Sequence, residues 1–395
     1  MMSSSKRFFK NKFRDIFNKF LFKINFSSQK FCKEYPSKIS IEKTAILYYK
    51  FIDENFYRHP NNQNIICILN TLNSIGYDVI LVDRRCKNIP RKYRKKEISL
   101  FIGIDGSGGA KYYFDHLNAL NSEKNYLILT VQPPELLKKR LDKREKLRKK
   151  LLKIDFDYTR KISFKEIERF NSEINKVDVL LTAETEDKEL KETLNSFNVN
   201  VQKLNWSTFS QIKAIRRNKE CSNSVILMCG NDPLRKGVDF SVELFKNLPF
   251  TLHIFSPDQK LVKIILAKNN NPKNILYHGF IDILSKDFED ITQNSKFTLN
   301  LSASEGSIPT SMLHCMKTGL VPIMDIDSGI TSYKGGLIID LVNKGIDQSI
   351  KEINNYIKNI SWDDYLTQSI NANKFVLKNY TIQSYKKDLL KAFSN

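Results

Sequence analysis

Between Cys229 and Gly329, short apolar runs alternate with longer amphipathic ones, and glycine, proline or small polar residues mark the junctions. This alternation reads as repeated strand–loop–helix units and so as an α/β chain. Val225–Cys229 is expected as a strand that Gly230 ends, and 238–246 as the following helix, with Val238, Phe240, Val242, Leu244 and Phe245 apolar. The loop between them holds Gly230, Asn231, Arg235, Lys236 and Gly237. In an open α/β sheet, ligands bind at the carboxyl ends of strands. Two cations beside a helix N-terminus suit a diphosphate, because charge, exposed N–H groups and helix dipole all favour an anion. The competing reading is two solvated cations in a chain with 64 lysines and arginines.

A second unit follows the same plan. Residues 297–301 read as a buried strand, and 302–307 form a small, polar loop. Pro309 suits the first turn of a helix. Met312, Leu313, Cys315 and Met316 give that helix an apolar face, Gly319 ends it, and 320–324 begin the next strand. Glu305 therefore lies on a loop that feeds a helix N-terminus. There it either complements the helix dipole or accepts hydrogen bonds from sugar hydroxyls while the N-terminus receives phosphate.

In order and spacing, the two units resemble the C-terminal domain of retaining GT-B glycosyltransferases, the large family 4 group. That family has Gly-Arg and then Lys-Gly in the first loop. Its second motif is Glu-Gly, a further Glu, then Ala-Met-Ala-x-Gly. Asn274-Ile275-Leu276-Tyr277-His278-Gly279-Phe280 resembles its N-I-x-F-x-G-F strand. Two departures stand out: Asn231 occupies the usual Arg position, and His314 the position of the second Glu. The resemblance implies two Rossmann-like domains facing across a cleft. It also implies a nucleotide-sugar donor, a glycan or lipid-linked acceptor in surface polysaccharide synthesis, retention of configuration, and no metal or other cofactor. Carried over residue by residue, it makes Lys236, Arg235 and Glu305 the catalytic set. Gly230, Asn231, Gly306, Ser307, Ile308, Pro309, Thr310 and His314 become donor contacts. The expected divisions are a basic N-terminal segment and linker over 1–37, an acceptor-side domain over 38–218 and a donor domain over 219–395, whose last helix returns to the first domain.

At 395 residues the chain has room for two such domains. Its 64 basic against 43 acidic residues give +21, which calls for an anionic partner. Six scattered cysteines without a C-x-x-C pair read as reduced thiols of a cytosolic protein, and the scattered histidines suggest no zinc site. No apolar stretch is long enough for a membrane span. In residues 1–26, Phe9, Phe13, Ile16, Phe17, Phe20 and Ile24 share one helical face among seven cations. That pattern fits a basic amphipathic helix on an anionic membrane surface, hence a peripheral location on the cytoplasmic face; a helix packed on the protein itself is the alternative.

The N-terminal half opens with a strand–helix–strand unit over 44–83, which is Rossmann-like. His59 precedes its helix, and Asp105-Gly106 follow the strand at 98–104; these three are candidates for the acceptor side of the cleft. Residues 135–153 read as a helix with ten basic and three acidic residues, either a solvated face or a lipid-docking one. Asp155-Phe156-Asp157 and Asp325-Ile326-Asp327 match an Asp-x-Asp metal motif, but in neither case in the setting such a motif requires. The charge leaves a nucleic-acid-binding protein as a rival, though no groove-reading module is present. The missing second Glu leaves a non-catalytic GT-B-like scaffold as another.

Overall fold

The computed structural model describes residues 31–39, 43–49, 60–105, 110–152, 161–303, 305–328, 333 and 335–394. The amphipathic stretch 1–26, His59, Gly106 and Asp155 to Asp157 lie outside the described residues.

Two sheets carry the molecule. The first contains β1 (Cys32–Tyr35), β2 (Lys43–Tyr49), β3 (Tyr77–Asp83), β4 (Ile98–Asp105), β5 (Ser122–Leu129), β6 (Val179–Thr182) and β7 (Asn200–Lys203), in the order β1-β3-β2-β4-β5-β6-β7. Every pairing is parallel except β1 against β3. The second contains β8 (Val225–Met228), β9 (Leu252–Phe255), β10 (Ile275–Gly279), β11 (Phe297–Asn300), β12 (Val321–Asp325) and β13 (Leu337–Ile339), in the order β10-β9-β8-β11-β12-β13 and parallel throughout. Parallel strands are covered by helices on both faces, which is why β8 reads as an unbroken apolar run and all of β11 is buried, including Thr298 and Asn300. Alternate residues of β2 serve opposite faces: Ala45 and Leu47 join one core, Ile46 and Tyr48 the other.

The strand order of the second sheet reverses between β8 and β11. That switch point opens a crevice at the carboxyl ends of the strands, between the loops that leave β8 and β11. Residues 230–237 and, among the described residues, 301–303 and 305–309 form those loops, within the stretches singled out by sequence.

The halves are tied at several places. The connection after β7 crosses to β8, and helix Ile382–Phe393 crosses back, placing Tyr385, Leu389 and Phe393 in the core of the first sheet. The Tyr126 hydroxyl donates to the Ala392 carbonyl at 2.9 Å, and Trp206 stacks on Tyr385. Where the crossings meet, the Thr208 amide donates to the Tyr380 carbonyl at 2.8 Å.

The third tie corrects the reading of the basic helix, which spans Pro134–Leu152. Its lysines at 139, 143, 146, 149 and 150 are exposed, but Arg140, Arg144 and Arg148 are at most 3% exposed. Spaced four apart, these arginines fall on one stripe, and that stripe faces the other half of the molecule. Arg144 pairs with Asp325 at 2.8 Å, and Arg148 pairs with Asp239. Both guanidiniums lie against the ring of Phe240. Arg140 pairs with Asp187 of its own half at 2.5 Å. Leu137 and Leu141 enter the core of the second sheet while Leu136 enters that of the first. The helix is neither a solvated face nor a lipid-docking one along this stripe, because the leucines bring the arginines with them into the junction.

Candidate active site

The loop after β8 is shaped by two glycines in left-handed backbone. Gly230 turns the chain at φ 56°, and its carbonyl accepts from the Ser256 hydroxyl at 2.8 Å. Gly237 has φ 76° and caps helix Val238–Phe245. A Cβ there would stand 2.7 Å from the Leu301 carbonyl oxygen, so only glycine lets the two loops approach this closely. The approach is sealed by the Ala303 amide, which donates to the Arg235 carbonyl at 3.3 Å.

That contact brings the cations of one loop onto the carboxylate of the other. Arg235 Nη1 and Lys236 Nζ each donate to Glu305 Oε1 at 2.6 Å, and the Ser302 hydroxyl adds a third bond at 2.7 Å. The side chains of Arg235, Lys236 and Glu305 are 15%, 12% and 9% exposed, so these are not solvated cations. Arg235 Nε also reaches Asp232 at 3.3 Å. Burial works to raise the Glu305 pKa, but Arg235, Lys236 and the hydrogen bonds outweigh it and hold the carboxyl at about 2. Burial likewise lowers the Lys236 pKa against the pull of Glu305. The carboxylate is therefore ionised at neutral pH. Among the described residues no bond engages Oε2.

The other half of the molecule closes on the same residue. Val131, just beyond β5, forms an antiparallel bridge with Glu305, and Gln132 Nε2 donates to the Glu305 carbonyl at 2.8 Å. Gly306 sits under Val131, where a Cβ would stand 3.3 Å from its carbonyl carbon. Val131 and Gln132 had no signal in the sequence beyond the apolar run and the two prolines that follow. Asp105 ends β4, whose neighbour β5 leads into this bridge.

After Glu305 the loop exposes parts of Ser307, Pro309 and Thr310, while Ile308 turns into the core with Met312 and Leu313. Helix Thr310–Lys317 begins at Pro309 with no side-chain cap, so its first-turn N–H groups are available to an anion. Asn231 is exposed on the first loop.

His314 is elsewhere. It is fully buried, stacks on Phe209, and its Nε2 accepts the Phe209 amide at 3.0 Å. Burial, with Lys317 adding repulsion, drops its pKa to about 3. In this position the imidazole braces the interdomain connection and presents nothing to the crevice. The acids at 325 and 327 are likewise turned to the basic helix: Asp325 pairs with Arg144, and Asp327 lies 3.9 Å from Arg140.

No protein-family model and no curated protein sequence matches the chain. Solved structures do. The crystal structure of Anabaena HepE in complex with UDP and glucose aligns with 89% of this chain and 100% of its own, at 9% identity and a TM-score of 0.59. The apo form of WaaB, a lipopolysaccharide outer core galactosyltransferase, aligns with 89% and 99% at 12% identity and a TM-score of 0.58. The fold is GT-B. The crystal structure of TarM aligns with 75% of this chain at 17% identity and a TM-score of 0.52, and there the match spans about half of the longer protein, 55%. Within the GT-B fold seen here, the β8 and β11 loops of the second sheet meet the loop after β5 of the first at Glu305.

Proposed function

We propose that the chain is a glycosyltransferase that moves a sugar from a nucleotide-sugar donor to a hydroxyl of a glycan or lipid-linked glycan, with retention of configuration and without a metal. The observation that carries this reading is the convergence of Arg235, Lys236 and Ser302 on one oxygen of Glu305, at the mouth of the switch-point crevice. In such a transfer the bond between the sugar carbon and the diphosphate breaks, and the nucleoside diphosphate leaves with the electron pair. The acceptor oxygen bonds to the carbon and gives up its proton to the departing diphosphate oxygen. The charge that must be stabilised is on the leaving diphosphate. Arg235 and Lys236 are fixed before the donor arrives, because Glu305 holds them, and the uncapped turn at Thr310 adds backbone donors. Glu305 Oε2 is left to accept hydrogen bonds from sugar hydroxyls. That HepE was crystallised with UDP and glucose is consistent with a uridine nucleotide.

A thermal-shift screen of UDP-, GDP-, ADP- and CMP-sugars tests the reading. One donor class should stabilise the protein, by roughly 2.7 kcal/mol at about 100 times its dissociation constant. No shift with any of them would remove the donor site from this crevice.

A further inference from the structure

A second concavity lies away from Glu305. A cavity of about 350 Å³ opens where the two interdomain connections cross, between residues 208–214 and 373–383, with Lys317 in its wall. The backbone around it is fixed: both Thr208 amide and hydroxyl donate to the Tyr380 carbonyl, at 2.8 and 3.0 Å. Asn373 Nδ2 holds the Lys317 carbonyl at 2.5 Å.

Lys317 is the unusual member. It is 5% exposed, and its ammonium donates to the Phe209 carbonyl. Among the described residues no carboxylate pairs with it, and burial alone shifts its pKa, downward. An ammonium carries three donors, and a buried cation without a counter-ion is costly. A second cation, Lys213, is exposed at the cavity, and Ser210 also lines it; the Thr381 hydroxyl is engaged by Ser384 in the cap of the next helix. Ile212 and Leu377 supply an apolar side.

We propose that this hinge cavity binds a small phosphate monoester with an apolar body. Two ammonium groups and the hydroxyl of Ser210 match a dianion with three terminal oxygens; a single carboxylate would leave one cation unmatched. The apolar side then receives the organic group, and the cavity has room for a ligand larger than phosphate. Such a ligand cross-links the two connections that join the halves. The site stands independently of the donor crevice.

Calorimetric titration of the full chain with phenyl phosphate tests this, with inorganic phosphate and benzyl alcohol as the two halves of the probe. The expected result is saturable binding at one site per chain, tighter than either half. It should weaken roughly tenfold or more in Lys317→Met and severalfold in Lys213→Glu, and stay unchanged in Lys236→Ala. Because Lys317 also braces Phe209, the exposed Lys213→Glu variant keeps the test decisive if Lys317→Met folds poorly. The proposal is overturned if phenyl phosphate does not saturate, if Lys213→Glu leaves its affinity unchanged, or if Lys236→Ala abolishes binding and so places the ligand in the donor crevice. Inorganic phosphate binding as tightly as phenyl phosphate would overturn the apolar part of the assignment.

Discussion

At Glu305 one carboxylate oxygen takes bonds from a guanidinium, an ammonium and a hydroxyl, and among the described residues no bond engages its partner oxygen. The two cations thus have separable roles from the carboxylate. Lys236→Ala removes one stabiliser of the leaving diphosphate and should cost roughly 10²–10³ in kcat, while the fold is kept because Arg235 and Ser302 still hold Glu305 Oε1. Single-turnover kinetics with the donor found by the screen checks this, and wild-type turnover would sink the assignment. Glu305→Gln should lower rate and donor-sugar discrimination while keeping the fold. It should also change the acid limb of stability. A carboxyl held at about 2, against an ordinary value of 4.5, contributes stability above the ordinary value, and that stability is lost as pH falls from 4.5 towards 2. Denaturant melts across that window should show a slope in the wild type that is reduced in Glu305→Gln. An unchanged slope would mean that the carboxylate is not clamped in solution.

On the scale of a single helix, Pro134–Leu152 shows how a charge run can be misread. Its sequence has the composition of a solvated face, yet one stripe of arginines is buried against Asp325, Asp239 and Phe240. Burying such pairs adds little net stability, because desolvation offsets the attraction, but removing one partner leaves the other charged and unpaired. Arg148→Met should therefore destabilise by roughly 3–5 kcal/mol, whereas Arg148→Met combined with Asp239→Leu should recover most of the loss. Urea unfolding of the single and double variants decides it. If the double variant is as unstable as the single one, the pair is not what holds this helix to the second sheet.

Across the whole molecule the +21 charge still needs a partner. The buried arginine stripe takes part of the basic helix out of contention. The first 26 residues, with seven cations and an aromatic face, then become the proposed membrane contact. Among the described residues no helix is long and apolar enough to cross a membrane. Each cation near an anionic surface is worth about 1 kcal/mol, and the attraction weakens as salt rises. Deleting residues 1–26 should abolish co-sedimentation with anionic vesicles at physiological salt and leave donor binding unchanged. A truncated chain that still pellets equally would move the contact to the exposed lysines of helix Pro134–Leu152.

The repeated strand–loop–helix pattern was legible because parallel strands buried on both faces leave continuous apolar runs, and because glycines mark backbone that only they adopt. Thus the loop of Arg235 and Lys236, the loop of Glu305 and the helix between Pro309 and Gly319 could each be placed from residues alone. What these loops do to one another depends on distances between segments some 70 residues apart, and no local pattern encodes those. Tertiary structure decided that Glu305 clamps both cations, that Val131 and Gln132 close on it from the other half, and that His314 is spent on Phe209 instead of the crevice. It also decided the fate of the arginine stripe. A four-residue spacing says which side chains share a face, but only the packing of leucines on either side of that stripe determines whether the face meets water or aspartate.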